Sequence, residues 1–338
     1  MSKQTRRLGI TGIVLLAALF LSPFSSTESL SAQTTSTPTV LPTSADPYAG
    51  LTIDALTARS YGGGQIKVLQ TWEQTPKFTR QIISYPSDGL TIYGFIDIPN
   101  GPGPFPVVIA LHGHVAQNYY QTLDYTTRYA DSLANGGFFV IHPNMRGFWP
   151  SDKGTNLLNV GLAVDVLNLI AIVQAQGGQP GALAKANPQA MGMWGHSMGG
   201  GVSIRVMTIS PALKAVLLYS SVSGDDAANA HAFYQHASTT QRQDNGENAL
   251  PLPPDSELAL ISPINYLDRI RATVSINYGL ADKTVDPAWS MDLCNRLQNL
   301  NKPVECFSFP GEGHIFGGQS DLLFQQRAVA FFAQYLKN

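Results

Sequence analysis

Residues 190–201 read Ala-Met-Gly-Met-Trp-Gly-His-Ser-Met-Gly-Gly-Gly. Ala190 to Trp194 is a short apolar run of the kind that forms a strand buried on both faces. Gly195-His196-Ser197-Met198-Gly199 follows without a spacer, a G-x-S-x-G pentapeptide. Residues 198–209 then read as a helix. Strand, sharp turn and helix is the setting in which this pentapeptide presents a nucleophilic serine. The turn strains the backbone at Ser197 and aims its hydroxyl away from the sheet. Glycines flank it because side chains there would collide with the neighbouring strand and helix. The helix N-terminus adds a positive dipole end and free N–H groups. The plainer alternative is an ordinary Gly-rich turn.

Outward from this point, strands and helices alternate. Towards the N-terminus lie strands at 80–85 and 91–98, joined by a turn at Asp88-Gly89 as a hairpin. The run Val107 to His112 reads as a buried strand, 119–135 as a helix, 138–142 as a strand and 156–176 as an apolar helix. Towards the C-terminus come strands at 215–219 and 273–278, a helix at 287–300, a strand at 303–309 and a final helix at 321–336. Such alternation implies a mostly parallel central sheet flanked by helices. Residues 224–263 break the rhythm and read as a short cap-like insertion over the sheet edge.

A serine hydroxyl needs a base, because it is scarcely ionised at neutral pH. His314 lies in the Gly-rich loop Gly311-Glu312-Gly313-His314, between the last strand and the last helix. Asp282 lies in the loop after the strand ending at Tyr278, where a carboxylate can orient His314. Asp286 is the competing acid, and before Pro287 it reads better as a helix cap. The order Ser, Asp, His, with gaps of 85 and 32 residues, is that of an α/β-hydrolase fold. The developing oxyanion needs two N–H donors. Met198, after the nucleophile, and His114, in the loop after Val107 to His112, are expected to supply them from the backbone, with Val115 the next choice. His112 reads as a structural tether of that loop.

Composition narrows the rest. The chain has 338 residues, 44% hydrophobic and 13% charged, enough for a large core. Its net charge of −2 comes without a basic cluster beyond the first residues, so nucleic acid is not an expected partner. Lys3, Arg6 and Arg7 precede an apolar run of 14 residues, Leu8 to Leu21. That is short of the roughly 20 residues a bilayer span needs and matches the core of a signal peptide, assigned to residues 1–32. The expected destination is secreted or extracytoplasmic, with membrane contact only through an uncleaved N-terminus. Residues 33–60 read as a Ser/Thr/Pro-rich linker and 61–338 as the catalytic domain. Cys294 on a helix and Cys306 on the next strand fall level across the helix–sheet gap. They read either as a disulfide in an oxidising compartment or as two separate buried thiols.

Taken together, the motifs carry a family likeness. From about Thr79 onward the chain resembles the prolyl oligopeptidase family of serine hydrolases and the related dienelactone-hydrolase-like and acetyl xylan esterase enzymes. The matching pieces are Tyr85 to Gly89 with Gly94, His112-Gly113, Asn144 to Gly147, Asp165, Gly195 to Gly199, Ser262-Pro263, Tyr278 to Asp282 with Val285, and Pro310 to His314. The resemblance implies an α/β-hydrolase fold, a Ser197–Asp282–His314 triad and hydrolysis of an ester or peptide bond in a small molecule, without a cofactor. Two features depart from the large peptidases. Too few residues precede Thr79 for a β-propeller, and His112 stands where those peptidases have a tyrosine before the oxyanion-loop glycine. Both favour a backbone oxyanion hole, as in the esterases. Gly195 to Gly201 also looks like the elbow of bacterial cutinase-type polyester hydrolases.

The remaining residues have plainer readings. Arg146 and Asp165 form a structural ion pair or loop anchor. His231 and His236 lack a third ligand at metal spacing. Trp149, Tyr119 and Tyr120 are cleft walls or simply packed aromatics. Against the enzymatic readings stands a non-catalytic binding protein that keeps the fold.

Overall fold

Residues Val107 to Leu111 are all completely buried, and they occupy the middle of the sheet. The computed structural model describes residues 48–234 and 252–337. The strands are β1 (Lys67–Gln74), β2 (Phe78–Ser87), β3 (Leu90–Pro99), β4 (Phe105–Leu111), β5 (Phe139–Pro143), β6 (Ala186–His196), β7 (Leu213–Tyr219), β8 (Thr273–Gly279) and β9 (Val304–Phe309). They form one nine-stranded sheet in the order β1-β2-β3-β5-β4-β6-β7-β8-β9. The pairs among β1, β2, β3 and β5 are antiparallel, and every pair from β5 to β9 is parallel. This is the α/β-hydrolase fold.

Alternation along the strands builds two cores. Ile109, Met193, Val216 and Ile276 face one side. There they pack with α3 (Val160–Gln176), α4 (Met198–Ile209) and α7 (Pro287–Asn299). Val108, Trp194, Leu217 and Phe309 face the other side, with α2 (Thr127–Asn135) and α8 (Gly318–Leu336). Each fully buried Val, Leu or Ile contributes roughly 1.5–3 kcal/mol relative to exposure. The hairpin turn has positive φ at Asp88 (51°) and Gly89 (80°), as a tight two-residue turn between twisted strands requires.

Parallel register fixes the site. Leu111 pairs with Gly195, His196 with Tyr219, Tyr219 with Asn277, and Gly279 with Phe309. The C-terminal ends of β4, β6, β8 and β9 therefore stand level. The loops leaving them carry His114, Ser197, Asp282 and His314.

Two readings of the sequence are corrected, and one strand is added to them. The linker assigned to 33–60 ends earlier. Residues 49–58 hold a 3-10 turn and α1 (Ile53–Ala58), with Ile53 and Leu56 buried in the core beside α3 and α4. Thr52 caps α1 by accepting from the Ala55 N–H at 3.2 Å. The chain divides at Ala45/Asp46, so the folded unit starts well before residue 61. The helix expected at 119–135 begins only at Thr127, because the stretch before it is committed to tertiary contacts. Tyr120 Oη sits 3.1 Å from Asn144 Oδ1 and 3.2 Å from His142 Nε2. Strand β1 was not expected, since all eight of its residues are exposed and none marks a buried face.

The predicted signal, most of the linker, His236 and the middle of the 224–263 insertion lie outside the described residues. Its described ends are helical, α5 (Asp226–Asn229) with a π turn to Tyr234, and α6 (Asp255–Ile261). A buried ion pair, Arg205 to Asp226 at 2.8 Å, ties the insertion to α4. Cys294 and Cys306 are disulfide-bonded, linking α7 to β9 across a Cα–Cα distance of 6.4 Å.

Candidate active site

Ser197 occupies the joint between β6 and α4 with φ 54° and ψ −117°. A non-glycine residue at positive φ is costly and marks a site held by its surroundings. The surroundings are tight. A Cβ on Gly199 would come within 2.6 Å of the Leu111 and His112 carbonyl oxygens, so only glycine lets α4 close on the end of β4. The Ser197 N–H donates to the Tyr219 carbonyl at 3.0 Å, and its own carbonyl accepts from Gly200, Gly201 and Val222.

His314 and Asp282 meet. His314 Nδ1 is 2.8 Å from Asp282 Oδ2. The second oxygen, Oδ1, accepts the backbone N–H groups of Thr284 at 2.8 Å and Val285 at 3.0 Å. Both carboxylate oxygens are thus occupied and the group is fixed within its loop. The His314 loop is held in turn: its Phe316 N–H donates to Tyr219 Oη at 2.5 Å, and the Glu312 carbonyl accepts from the Ala281 N–H at 2.9 Å. Asp286 accepts from the Ala288 N–H at 2.9 Å and caps α7, the role expected of it.

The loop expected to hold the oxyanion is fixed at its peptide planes. His112 Nδ1 lies 2.7 Å from the Gly113 carbonyl, and Nε2 lies 2.8 Å from the Asn144 carbonyl. The Gly113 N–H donates to Tyr125 Oη at 2.5 Å. A trans peptide points its C=O and N–H in opposite directions. With the Gly113 oxygen turned inward to His112, the N–H of the same peptide unit, that of His114, faces the other way. A Cβ on Gly113 would lie 3.1 Å from Ser197 Cβ and 2.7 Å from Tyr125 Oη, so glycine lets this loop pass beside Ser197.

His114, Ser197, Met198 and His314 all line one cavity of about 1180 Å³. Phe233 from the insertion and the indole of Trp149, 73% exposed, complete its mouth. Tyr120 also lines it but is buried, packing its ring on His112 and Phe148. Arg146 and Asp165 lie apart from this cavity as a buried pair at 2.7 Å, with Ser87 also donating to the carboxylate at 2.6 Å. Among the described residues, no cluster of three His, Cys, Asp or Glu side chains is placed to hold a metal ion.

Residues 124–338 match the family model described as the prolyl oligopeptidase family. The chain belongs to that family. That family is one of serine hydrolases. Solved structures share the fold at low identity. One is a Mycobacterium tuberculosis puromycin-hydrolyzing peptidase, 21% identical, with 78% of this chain and 40% of that one covered and a TM-score of 0.59. Another is acetyl xylan esterase 1 from a Thermoanaerobacterium species, 18% identical, with 81% and 88% covered and a TM-score of 0.58. A third is a Pyrococcus horikoshii acylaminoacyl peptidase, 17% identical, with 78% and 43% covered and a TM-score of 0.58. The chain spans about two-fifths of the length of the two peptidases.

Two residues near the site were not read from the sequence as parts of it, Tyr125 and Tyr219. Nothing local to them signals a role, since each acts through contacts far away in the chain. His196, the variable residue after the first glycine of the pentapeptide, was likewise passed over. Its position inside the motif was the available signal.

Proposed function

We propose that this protein hydrolyses carboxylic esters through a Ser197–His314–Asp282 triad and an acyl-enzyme. The observation that carries the reading is the 2.8 Å contact of His314 Nδ1 with an immobilised Asp282, in a cavity that His314 shares with Ser197. In this mechanism Ser197 Oγ attacks the substrate carbonyl carbon while His314 Nε2 takes the hydroxyl proton. Asp282 holds the ring with Nδ1 protonated and stabilises the imidazolium. The N–H groups of Met198 and His114 receive the tetrahedral oxyanion. His314 then gives its proton to the leaving alkoxide. Water attacks the acyl-enzyme and loses a proton to His314, which returns it to Ser197 Oγ as the carboxylic acid is released. Residue 112 favours the ester over the amide. Its imidazole is buried and turned to two carbonyls, so no hydroxyl reaches the oxyanion from that position.

A second reading, peptide-bond cleavage, is favoured by the family match over 124–338. The two are separated by rates on p-nitrophenyl esters and on aminoacyl p-nitroanilides. The triad itself is tested with a fluorophosphonate probe. Wild type should be labelled at Ser197 and Ser197→Ala should not; equal labelling of both would remove the mechanism.

Export belongs to the same proposal. The basic and apolar N-terminus and the Cys294–Cys306 disulfide both suit an oxidising compartment. N-terminal sequencing of the mature protein should begin near residue 33, and recovery of intact Met1 in the cytosol would count against it.

A further inference from the structure

One chain of hydrogen bonds joins the two loops on which the proposed mechanism depends. The Gly113 N–H donates to Tyr125 Oη at 2.5 Å. Tyr125 Oη lies 3.0 Å from His196 Nδ1. His196 Nε2 lies 3.1 Å from the carbonyl oxygen of His314. The direction of each bond follows from chemistry. A carbonyl oxygen only accepts, so His196 carries its proton on Nε2. Nδ1 is then an acceptor, and the Tyr125 hydroxyl donates to it. The Tyr125 oxygen keeps a lone pair for the Gly113 N–H. Every donor is used once, and the three bonds run the same way, an arrangement in which each polarises the next.

His196 is well placed to hold this tautomer. Its ring is almost wholly buried, within 4.5 Å of the Tyr219 ring and 4.8 Å of the His314 ring by centroids. Burial, reinforced by His314, pushes its pKa down to about 3, so the ring is neutral over the working range of a secreted enzyme. It sits at the variable position of the pentapeptide, next to Ser197, with its side chain on the face of β6 away from α4.

We propose that Tyr125 and His196 are positioning residues that brace the oxyanion loop against the loop of the catalytic base, so that the His114 N–H and the His314 imidazole are set together around Ser197. This rests on the triad reading above. Neither residue touches the reacting atoms. Tyr125 fixes the peptide before the proposed oxyanion donor, and His196 fixes the backbone of the base itself. The brace couples two loops separated by about 200 residues, and its loss should act on the transition state more than on substrate binding.

The test uses the full chain and four variants: Tyr125→Phe, His196→Leu, His196→Gln and the double variant Tyr125→Phe/His196→Leu. Steady-state constants on a p-nitrophenyl ester, the fluorophosphonate labelling rate and the thermal midpoint are measured for each. Tyr125→Phe keeps the ring and loses only the hydroxyl, and it should lower kcat roughly tenfold, the effect of about one hydrogen bond, with KM within about threefold. His196→Leu should lose as much or more. His196→Gln, whose Nε2 can still donate to the His314 carbonyl, should recover most of it. The double variant should be no slower than His196→Leu, because both changes break one chain. A Tyr125→Phe enzyme with wild-type kcat and labelling rate, while wild type labels at Ser197, overturns the brace and leaves the triad standing. So does equal activity of the Leu and Gln variants, or additive losses in the double variant. If wild type fails to label at Ser197, the triad falls and the brace falls with it. Tyr125→Phe decides the matter should the Leu variant not fold.

Discussion

His314 Nδ1 lies 2.8 Å from Asp282 Oδ2, while the opposite oxygen of the same carboxylate is tied to the N–H groups of Thr284 and Val285. The second half of this relationship determines what an amide would do at residue 282. In Asp282→Asn the carbonyl oxygen keeps the two backbone donors, since an NH₂ group cannot accept them. The NH₂ then faces His314 Nδ1 and demands an acceptor there. The ring is forced to carry its proton on Nε2, the nitrogen that the proposed mechanism needs to take the Ser197 proton. We expect kcat on p-nitrophenyl acetate to fall roughly 10³–10⁴-fold, with the thermal midpoint nearly unchanged. A loss below tenfold would mean that Asp282 does not orient the base.

Much of this site was legible beforehand because its parts are local patterns. A buried apolar strand running straight into Gly195 to Gly199 specifies strand, turn and helix, and the positive φ at Ser197 is the outcome. Asp282-Lys283-Thr284-Val285 is a side-chain-capped turn that closes on its own backbone. The parallel alternation of elements then brings the loop ends level without further information. What stayed hidden depends on distant partners. The helix read at 119–126 is absent because Tyr120 and Tyr125 are held by residues 24 and 71 positions away. Strand β1 has no buried face, so no hydrophobic alternation announces it. Helix α1 is only six residues long, too short for a periodicity, and its capping Thr52 sat in what composition marked as linker.

Stability should depend on pH through the buried imidazoles. Burial pushes His142 and His196 each down to about 3, well below the ordinary 6.5. Between these values the unfolded chain binds protons that the native state does not. Stability is therefore fully present above pH 6.5 and declines as pH falls towards 3, with each histidine contributing a slope of up to about 1.4 kcal/mol per pH unit. Urea unfolding at pH 7, 6 and 5 measures it. In His142→Asn the slope should drop by one histidine's share, and an unchanged slope would show that His142 is already protonated in the fold.

The disulfide closes a loop of 12 residues between α7 and β9. On chain-entropy grounds a cross-link over such a loop stabilises by about 3 kcal/mol. The double variant Cys294→Ser/Cys306→Ser should therefore unfold at a lower urea midpoint with the slope of the transition little changed. Equal midpoints for oxidised wild type and the variant would show that the bond contributes nothing to the folded unit's stability.

Trp149 is anchored through its backbone and free at its side chain. Its carbonyl accepts from Asn144 Nδ2 at 3.1 Å, and its neighbour Phe148 is buried edge-on against His112. The indole itself is 73% exposed at the mouth of the cavity that holds Ser197 and His314. A large apolar plane left in water beside a cleft has little packing to lose on truncation and much contact to offer a ligand. Contact made there is far from the reacting carbonyl and should be equal in the ground and transition states. Removing it raises KM and leaves kcat alone. We expect Trp149→Ala to raise KM about tenfold for esters with a bulky acyl or leaving group, a loss of roughly 1.4 kcal/mol of binding, and to leave p-nitrophenyl acetate, too small to reach the mouth, almost unaffected. A loss of kcat on the small ester would place Trp149 in the support of the oxyanion loop, through Phe148 and His112, and not on the substrate.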